Sequence, residues 1–423
     1  MFCIYRPRTS INCTISLPAS KSISNRLQVM NFLSGNQSKI DNLSDAGDTL
    51  LMQRLLHLVK NNQSNLCDPI ELDTANAGTV MRFLTALLAV TPGRWLLTGS
   101  ERMQQRPVQP LADALISLGT EISYTKENGF PPLLIVGNAS LLGGVVKLSA
   151  GISSQFISAL MMIGPLLKGG LEIELLDEIV SAAYIRMTQE LMQQAGANVS
   201  TSENVIQITE GSYHKGTGIF TVEPDWSAAA FWYEMAAFDP QAAILLKGLS
   251  EKSVQGDSVL PLIFENFGVK SVFIPDGLLL SGSGNPAVSS FSYDFTDCPD
   301  LVQAVAVTCA ALGIETELNG LKSLRLKETD RIEALKSELT GLGYFISTEG
   351  DQIHFWGNSG FGKNKGFPVI KHYDDHRMAM SFAPLALLFG KIYLDDPAVV
   401  QKSYPRFWED LANAGFRLEN KAF

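Results

Sequence analysis

The densest set of side chains able to do chemistry stands in LRLKETDRIEAL, residues 324–335. There Lys327, Glu328 and Arg331 fall within one helical turn, with Asp330 among them. On an exposed helix this pattern makes ordinary ion pairs. If the segment opens into a pocket, it becomes an acid–base pair tuned by neighbouring cations. Asp300 follows Pro299 at the start of a wholly apolar run, where a carboxylate either caps the helix or faces a cleft as a base. Lys21 and Arg26 stand in SKSISNR, Arg82 ends NAGTVMR, and Arg102 and Arg106 precede a proline-led helix. An arginine fork can clamp carboxylate or phosphate through two parallel hydrogen bonds. Ser153-Ser154-Gln155 offers two hydroxyls and an amide to phosphate or hydroxyl groups. In Asn76-Ala77-Gly78-Thr79, the glycine leaves backbone N–H groups uncovered at a helix start.

Other patterns carry less. His372 and His376 are four apart, a spacing that can bind metal on a helix, but no third ligand accompanies them. Asp45 and Asp48, near another helix start, read best as caps. GNSGFGKN, residues 357–364, nearly matches a phosphate loop but ends in Asn and lacks a following helix, so a loop between strands is expected. There is no GxSxG elbow and no GxGxxG after a strand, which weakens hydrolase and dinucleotide-enzyme readings.

The elements that must position these residues repeat. LPASKSISNRLQVMNFLSG, residues 17–35, reads as a strand end, a polar turn and an apolar-periodic helix closed by Gly35. A polar opening followed by an alanine-rich apolar helix recurs at Asn76, Ser153, Asp225, Pro299 and Asp374. Each is followed by a second, amphipathic helix ending near glycine, which makes six copies of strand, buried helix, strand, surface helix and strands. Three copies fall in residues 20–221 and three in 222–423, with 1–19 as strand material. The boundary is expected in GIFTVEP, residues 218–224. The longest apolar runs, 301–314 and 378–390, are too short to span a bilayer and read as buried helices.

Composition narrows the class. Hydrophobic residues make up 46% and charged residues 18%, which is the balance of a soluble globular protein. A net charge of −10 disfavours a general nucleic-acid surface, yet the cations gather inside the motifs, as in a pocket for small, multiply charged anions. Five scattered cysteines without a CxxC pair suit a reducing cytoplasm, and no signal-type segment opens the chain.

SKSISNR, NAGTVMR, RMQQRP, SSQFISAL, LRLKETDR, DDHRMAM and KSYP, in this order, closely resemble the 5-enolpyruvylshikimate-3-phosphate synthase family. The resemblance implies an α/β (α+β) fold of two similar domains, each of three βαβαββ repeats in an inverse α/β barrel. Two hinge strands would join domains that close on a cleft. It implies transfer of the enolpyruvyl group of phosphoenolpyruvate to the 5-hydroxyl of shikimate 3-phosphate, through a tetrahedral ketal and with no metal or organic cofactor.

Carried over by motif, shikimate 3-phosphate would meet Lys21, Ser22, Arg26, Ser153, Ser154, Gln155, Ser181, Asp300, Ser323 and Lys327. Phosphoenolpyruvate would meet Lys21, Asn76, Gly78, Thr79, Arg106, Gln155, Glu328, Arg331, His376, Arg377 and Lys402. Lys21, Asp300 and Glu328 would be catalytic, with Asp300 taking the hydroxyl proton and Glu328 serving the methylene carbon. A cytoplasmic monomer acting on small molecules, with no nucleic acid or membrane partner, is expected. Ser323 and Phe83 depart from the commonest pattern, which often has Asn and Pro at those places. The sister family acting on UDP-N-acetylglucosamine shares the fold, but typically has Lys-Asn where this chain has Lys21-Ser22.

Overall fold

Helices Gly78–Ala89, Ser154–Ile163, Trp226–Phe238 and Val302–Leu312 are mostly apolar and buried on nearly all faces, so each must be surrounded rather than laid on a surface. A computed structural model describes the chain except residues 36–37, 64–66, 150, 152, 214–218, 357–366 and 421–423. The GNSGFGKN loop and the first residue of GIFTVEP lie outside the described residues. The chain forms two compact units. One comprises Lys21–Ser44 and Asp48–Val222; the other comprises Met1–Ser20, Asp45–Gly47 and Glu223–Phe423.

In the first unit, strands Ile70–Asp73, Gly93–Thr98, Leu133–Gly137 and Glu121–Tyr124 lie side by side in that order. The first pair is parallel and the other pairings are antiparallel. Leu142–Ser149, Lys168–Leu176, Val205–Ile208 and Val199–Ser202 repeat the same arrangement. The third repeat is reduced, among the described residues, to the parallel pair Lys39–Asp41 and Ile219–Thr221. Helices Lys21–Leu33, Gly78–Ala89 and Ser154–Ile163 pack on one another, with the sheets outside them.

The second unit carries three complete sheets of that order. Asn12–Ile15 begins one, Ser290–Asp294 the next, and Val369–Ile370 the third. The third sheet is completed by Phe2–Tyr5, which pairs antiparallel with both Lys391–Leu394 and Arg417–Asn420. Helices Trp226–Phe238, Val302–Leu312 and His376–Phe382 pack together inside. The fold is thus mixed α/β with helices inside open sheets, and no sheet of the described residues closes into a barrel.

One expectation needs correction. Residues 378–390 are not one helix: it ends at Phe382, passes through a 3-10 turn at Ala383–Leu385, and resumes as Ala386–Phe389. Pro384 has no N–H to continue the ladder, and its ring crowds the carbonyl four residues back. His372 precedes the helix that His376 opens, so the two rings do not share a helical face. Among the described residues, no group of three or more His, Cys, Asp or Glu side chains could hold a metal ion, and no helix is long and apolar enough to cross a membrane.

Candidate active site

In the first unit the charged and polar candidates gather where the core helices begin. Lys21 opens its helix and its Nζ lies 3.2 Å from Asp48 Oδ2, both side chains being largely buried. Ser153 Oγ caps the helix Ser154–Ile163 by accepting the Gln155 N–H at 3.3 Å. The Gln155 side-chain amide in turn donates to Thr79 Oγ1 at 3.1 Å, which ties two helix starts together. Gly78 begins its helix after Ala77, whose side chain supplies no cap, so the first N–H groups have no side-chain acceptor from the cap position. A β-carbon at Gly78 would fall 2.6 Å from Arg106 Nη2, so the guanidinium of buried Arg106 lies flat on this helix start. Asn76, half-buried, stands in the turn before it. Ser181 is buried and holds φ = 61° immediately before helix Ala182–Gln194 without capping it. A serine held in that region carries backbone strain.

Arg26 is the most enclosed cation among the described residues of this unit, at 2% exposure. Its Nε–H donates to Thr188 Oγ1 at 2.7 Å, Nη1 to the Ser22 carbonyl at 3.0 Å, and Nη2 to Ser158 Oγ at 3.1 Å and the Tyr184 carbonyl at 3.4 Å. Phe83 and Tyr184 present ring faces to it, with centroids 5.2 and 5.7 Å from Cζ. Burial pulls its pKa down to about 10, and Tyr184 opposes that shift.

The second unit holds a different cluster. Asp300 lies in a 3-10 turn ahead of helix Val302–Leu312 and does not cap it. Its carboxylate instead takes Arg331 Nη1 at 3.1 Å and Arg377 Nη2 at 3.0 Å, with Lys327 Nζ at 3.7 Å. Glu328 bridges Arg331 Nη2 at 3.1 Å and Lys402 Nζ at 3.0 Å. Arg331, 2% exposed, also meets Asp375 Oδ2 through Nε at 2.6 Å. Burial opposes the charge on Arg331, but Asp375, Glu328 and Asp300 outweigh it and hold the pKa above the ordinary arginine value. Burial pulls Lys327 down, against the pull of Asp300. His376 is buried beside Asp375, with Nδ1 3.9 Å from Oδ1. The Ser323 hydroxyl oxygen is buried and has no hydrogen-bond partner among the described residues.

Residues 327–330 are not helical, contrary to the one-turn spacing. They form a turn between the 3-10 segment Lys322–Leu326 and helix Arg331–Gly341, which Asp330 caps through the Ile332 and Glu333 N–H groups. Lys327 and Glu328 therefore reach Asp300 and Lys402 from a loop rather than from a helix face.

Sequence reasoning passed over four side chains that build these clusters. Asp48, read as a cap, lies inside helix Gly47–Asn61 and pairs with Lys21 instead. Asp375 caps helix His376–Phe382 and grips Arg331; the capping position was the only signal in the sequence. Tyr184 follows Ser181 by one turn and gave no signal. Asp257 accepts the Ser227 hydroxyl, and burial with nearby Asp300 raises its pKa to about 7 against the pull of Arg377.

Known proteins match this chain along nearly its whole length. The family model for EPSP synthase (3-phosphoshikimate 1-carboxyvinyltransferase) matches residues 5–411. A 3-phosphoshikimate 1-carboxyvinyltransferase of Bacteroides fragilis is 47% identical over 412 residues, 97% of either chain. One from Methanospirillum hungatei is 34% identical, with 94% of either chain covered. The solved EPSP synthase of Acinetobacter baumannii superposes with a TM-score of 0.74 at 23% identity, covering 99% of both chains, and so shares the two-domain fold. A family match across nearly the whole length, joined to relatives of this identity and coverage, places the chain in the EPSP synthase (3-phosphoshikimate 1-carboxyvinyltransferase) family.

Proposed function

We propose that this chain transfers the enolpyruvyl group of phosphoenolpyruvate to the 5-hydroxyl of shikimate 3-phosphate and releases phosphate. The observation that carries this reading is the pair of carboxylates, Asp300 and Glu328, each held between cations. Two acids at fixed places can serve two proton transfers, while the surrounding cations offset phosphate and carboxylate charge.

In the proposed sequence Asp300 takes the 5-hydroxyl proton as that oxygen bonds to C2 of phosphoenolpyruvate. Glu328 gives its proton to C3, which completes a tetrahedral ketal. Elimination reverses the second transfer: C3 returns a proton to Glu328, the C2–C3 double bond re-forms, and phosphate departs with the electron pair of the breaking C–O bond, taking up the proton that Asp300 had accepted. Lys21 offsets charge on that phosphate. Ser22, Arg26, Ser153, Ser154, Gln155, Ser181, Ser323 and Lys327 are the further contacts proposed for shikimate 3-phosphate. The contacts proposed for phosphoenolpyruvate are Lys21, Asn76, Gly78, Thr79, Arg106, Gln155, Arg331, His376, Arg377 and Lys402. The protein is proposed to act as a monomer on small molecules in the cytoplasm, a compartment that suits its five free cysteines.

The test is phosphate release from phosphoenolpyruvate, with shikimate 3-phosphate or UDP-N-acetylglucosamine as acceptor. Release is expected with the first alone. Asp300→Asn and Glu328→Gln should each lower kcat by ~10²–10⁴. Full activity in both variants, or turnover of the nucleotide sugar instead, defeats the reading.

A further inference from the structure

A buried guanidinium ordinarily takes a carboxylate, because removing its charge from water is otherwise costly. Arg26 takes none among the described residues. Four of its N–H groups go to two hydroxyls and two carbonyls, all neutral. What else meets the charge is aromatic: the Phe83 ring at 5.2 Å and the Tyr184 ring at 5.7 Å. The negative face of an aromatic ring attracts a cation without neutralising it, and this attraction is strongest where water is absent. Phe83 is 1% exposed and is fixed within helix Gly78–Ala89; Ser158 and Thr188, which hydrogen-bond to each other at 2.8 Å, stand on two further helices. The guanidinium plane is therefore set by three elements while its full positive charge is kept. An arginine has five N–H groups, and the one on Nη1 not engaged by Ser22 remains to be satisfied.

We infer that Phe83 is a positioning residue for the shikimate 3-phosphate site: its ring, with that of Tyr184, holds Arg26 charged, oriented and free of any carboxylate, so that an anionic group of this substrate becomes its counter-ion. The inference rests on the function proposed above. A carboxylate in place of the rings would steady Arg26 equally well but would already occupy the charge that the substrate needs. A ring steadies the cation and leaves it unneutralised.

The experiment is a double-mutant cycle read in substrate affinity rather than in stability. Parent, Phe83→Leu, Arg26→Gln and the double variant are titrated with shikimate 3-phosphate, and KM is measured for both substrates. Loss of a desolvated cation–π contact should raise Kd and KM for shikimate 3-phosphate about tenfold in Phe83→Leu, with KM for phosphoenolpyruvate within about twofold of the parent. In the Arg26→Gln background the same ring removal should change the affinity by less than about twofold, because no cation remains for the ring to hold. An equal loss in both backgrounds would mean that the ring serves packing alone and would overturn the proposal. Unchanged affinity in Phe83→Leu, or parent-like affinity in Arg26→Gln, would do the same. Should Phe83→Leu fail to fold, Phe83→Met keeps the volume and carries the cycle. Parent turnover with shikimate 3-phosphate is measured first. Its absence defeats the proposed function and this inference together, whereas normal turnover without coupling defeats the inference alone.

Discussion

Two arginines in this protein are buried to the same extent, 2% exposed, and solve the same problem in opposite ways. Arg331 is surrounded by Asp375, Asp300 and Glu328, so its charge is met several times over inside its own unit. Arg26 has hydroxyls, carbonyls and two ring faces, and no carboxylate among the described residues. The contrast shows in their acidities: carboxylates win over burial and hold Arg331 above its ordinary value, while burial brings Arg26 down to about 10. Arg331 organises the acids for which proton transfer is proposed, a role in which it must itself stay fixed. Arg26, still charged at neutral pH, is left with an electrostatic demand that a ligand can meet.

The largest effect that tests this contrast should come from breaking the acidic nest. Arg331→Gln strips buried Asp375 of its cation, while Asp300 keeps Arg377 and Lys327 and Glu328 keeps Lys402, and removing one partner of a buried pair typically costs ~3–5 kcal/mol. The variant should unfold at markedly lower denaturant and be inactive; parent-like unfolding would mean that the carboxylates find other partners. Arg26→Gln strands no charge, only neutral acceptors whose hydrogen bonds are worth ~0.5–1.5 kcal/mol each. Its stability should fall less than that of Arg331→Gln, while its affinity for shikimate 3-phosphate drops by roughly 10- to 100-fold, the worth of one hydrogen bond to a charged group. Equal destabilisation by the two substitutions would erase the distinction.

The smallest effect concerns Asp257, whose raised pKa marks the edge of the acidic nest. Its acid form is favoured in the folded state, so between the ordinary aspartate value, 3.8, and about 7 the folded protein binds more protons than the unfolded chain. Stability contributed by this group is therefore full below 3.8 and is lost as pH rises toward 7. Asp257→Asn should flatten the decline of Tm across that window; an unchanged slope would show that Asp257 ionises normally in the fold.

The repeats were legible because most core helices are apolar on nearly all faces and open on polar residues, a pattern carried within a dozen residues. Pairings between distant segments were not. Asp48 looked like a cap because capping is local, whereas its ion pair with Lys21 depends on the two helices coming together. The same holds for Asp375 and Arg331. Lys327, Glu328 and Arg331 were read at helical spacing, but Asp330 starts the helix and leaves the first two in a turn. Pro384 was visible and sufficient to break its helix, and the apolar run around it hid that signal. The places of Asp300 and Glu328 among the cations follow from tertiary packing, so spacing alone left Asp300 open between cap and base.

The strand Phe2–Tyr5 has a bearing on how the protein is made. On a ribosome Phe2 emerges long before its partners Leu394 and Asn420. Asn12–Ile15 likewise waits for Ala243–Lys247. Between these events the whole stretch Lys21–Val222 is synthesised, and it contains all of one unit. That unit can complete its core while the first two strands hang unpaired, each with apolar residues and open backbone groups exposed to other chains. The topology thus makes newly begun chains, rather than finished molecules, the species most exposed to aggregation, and the short polar loop around Arg6 and Arg8 stands next to the strands at risk.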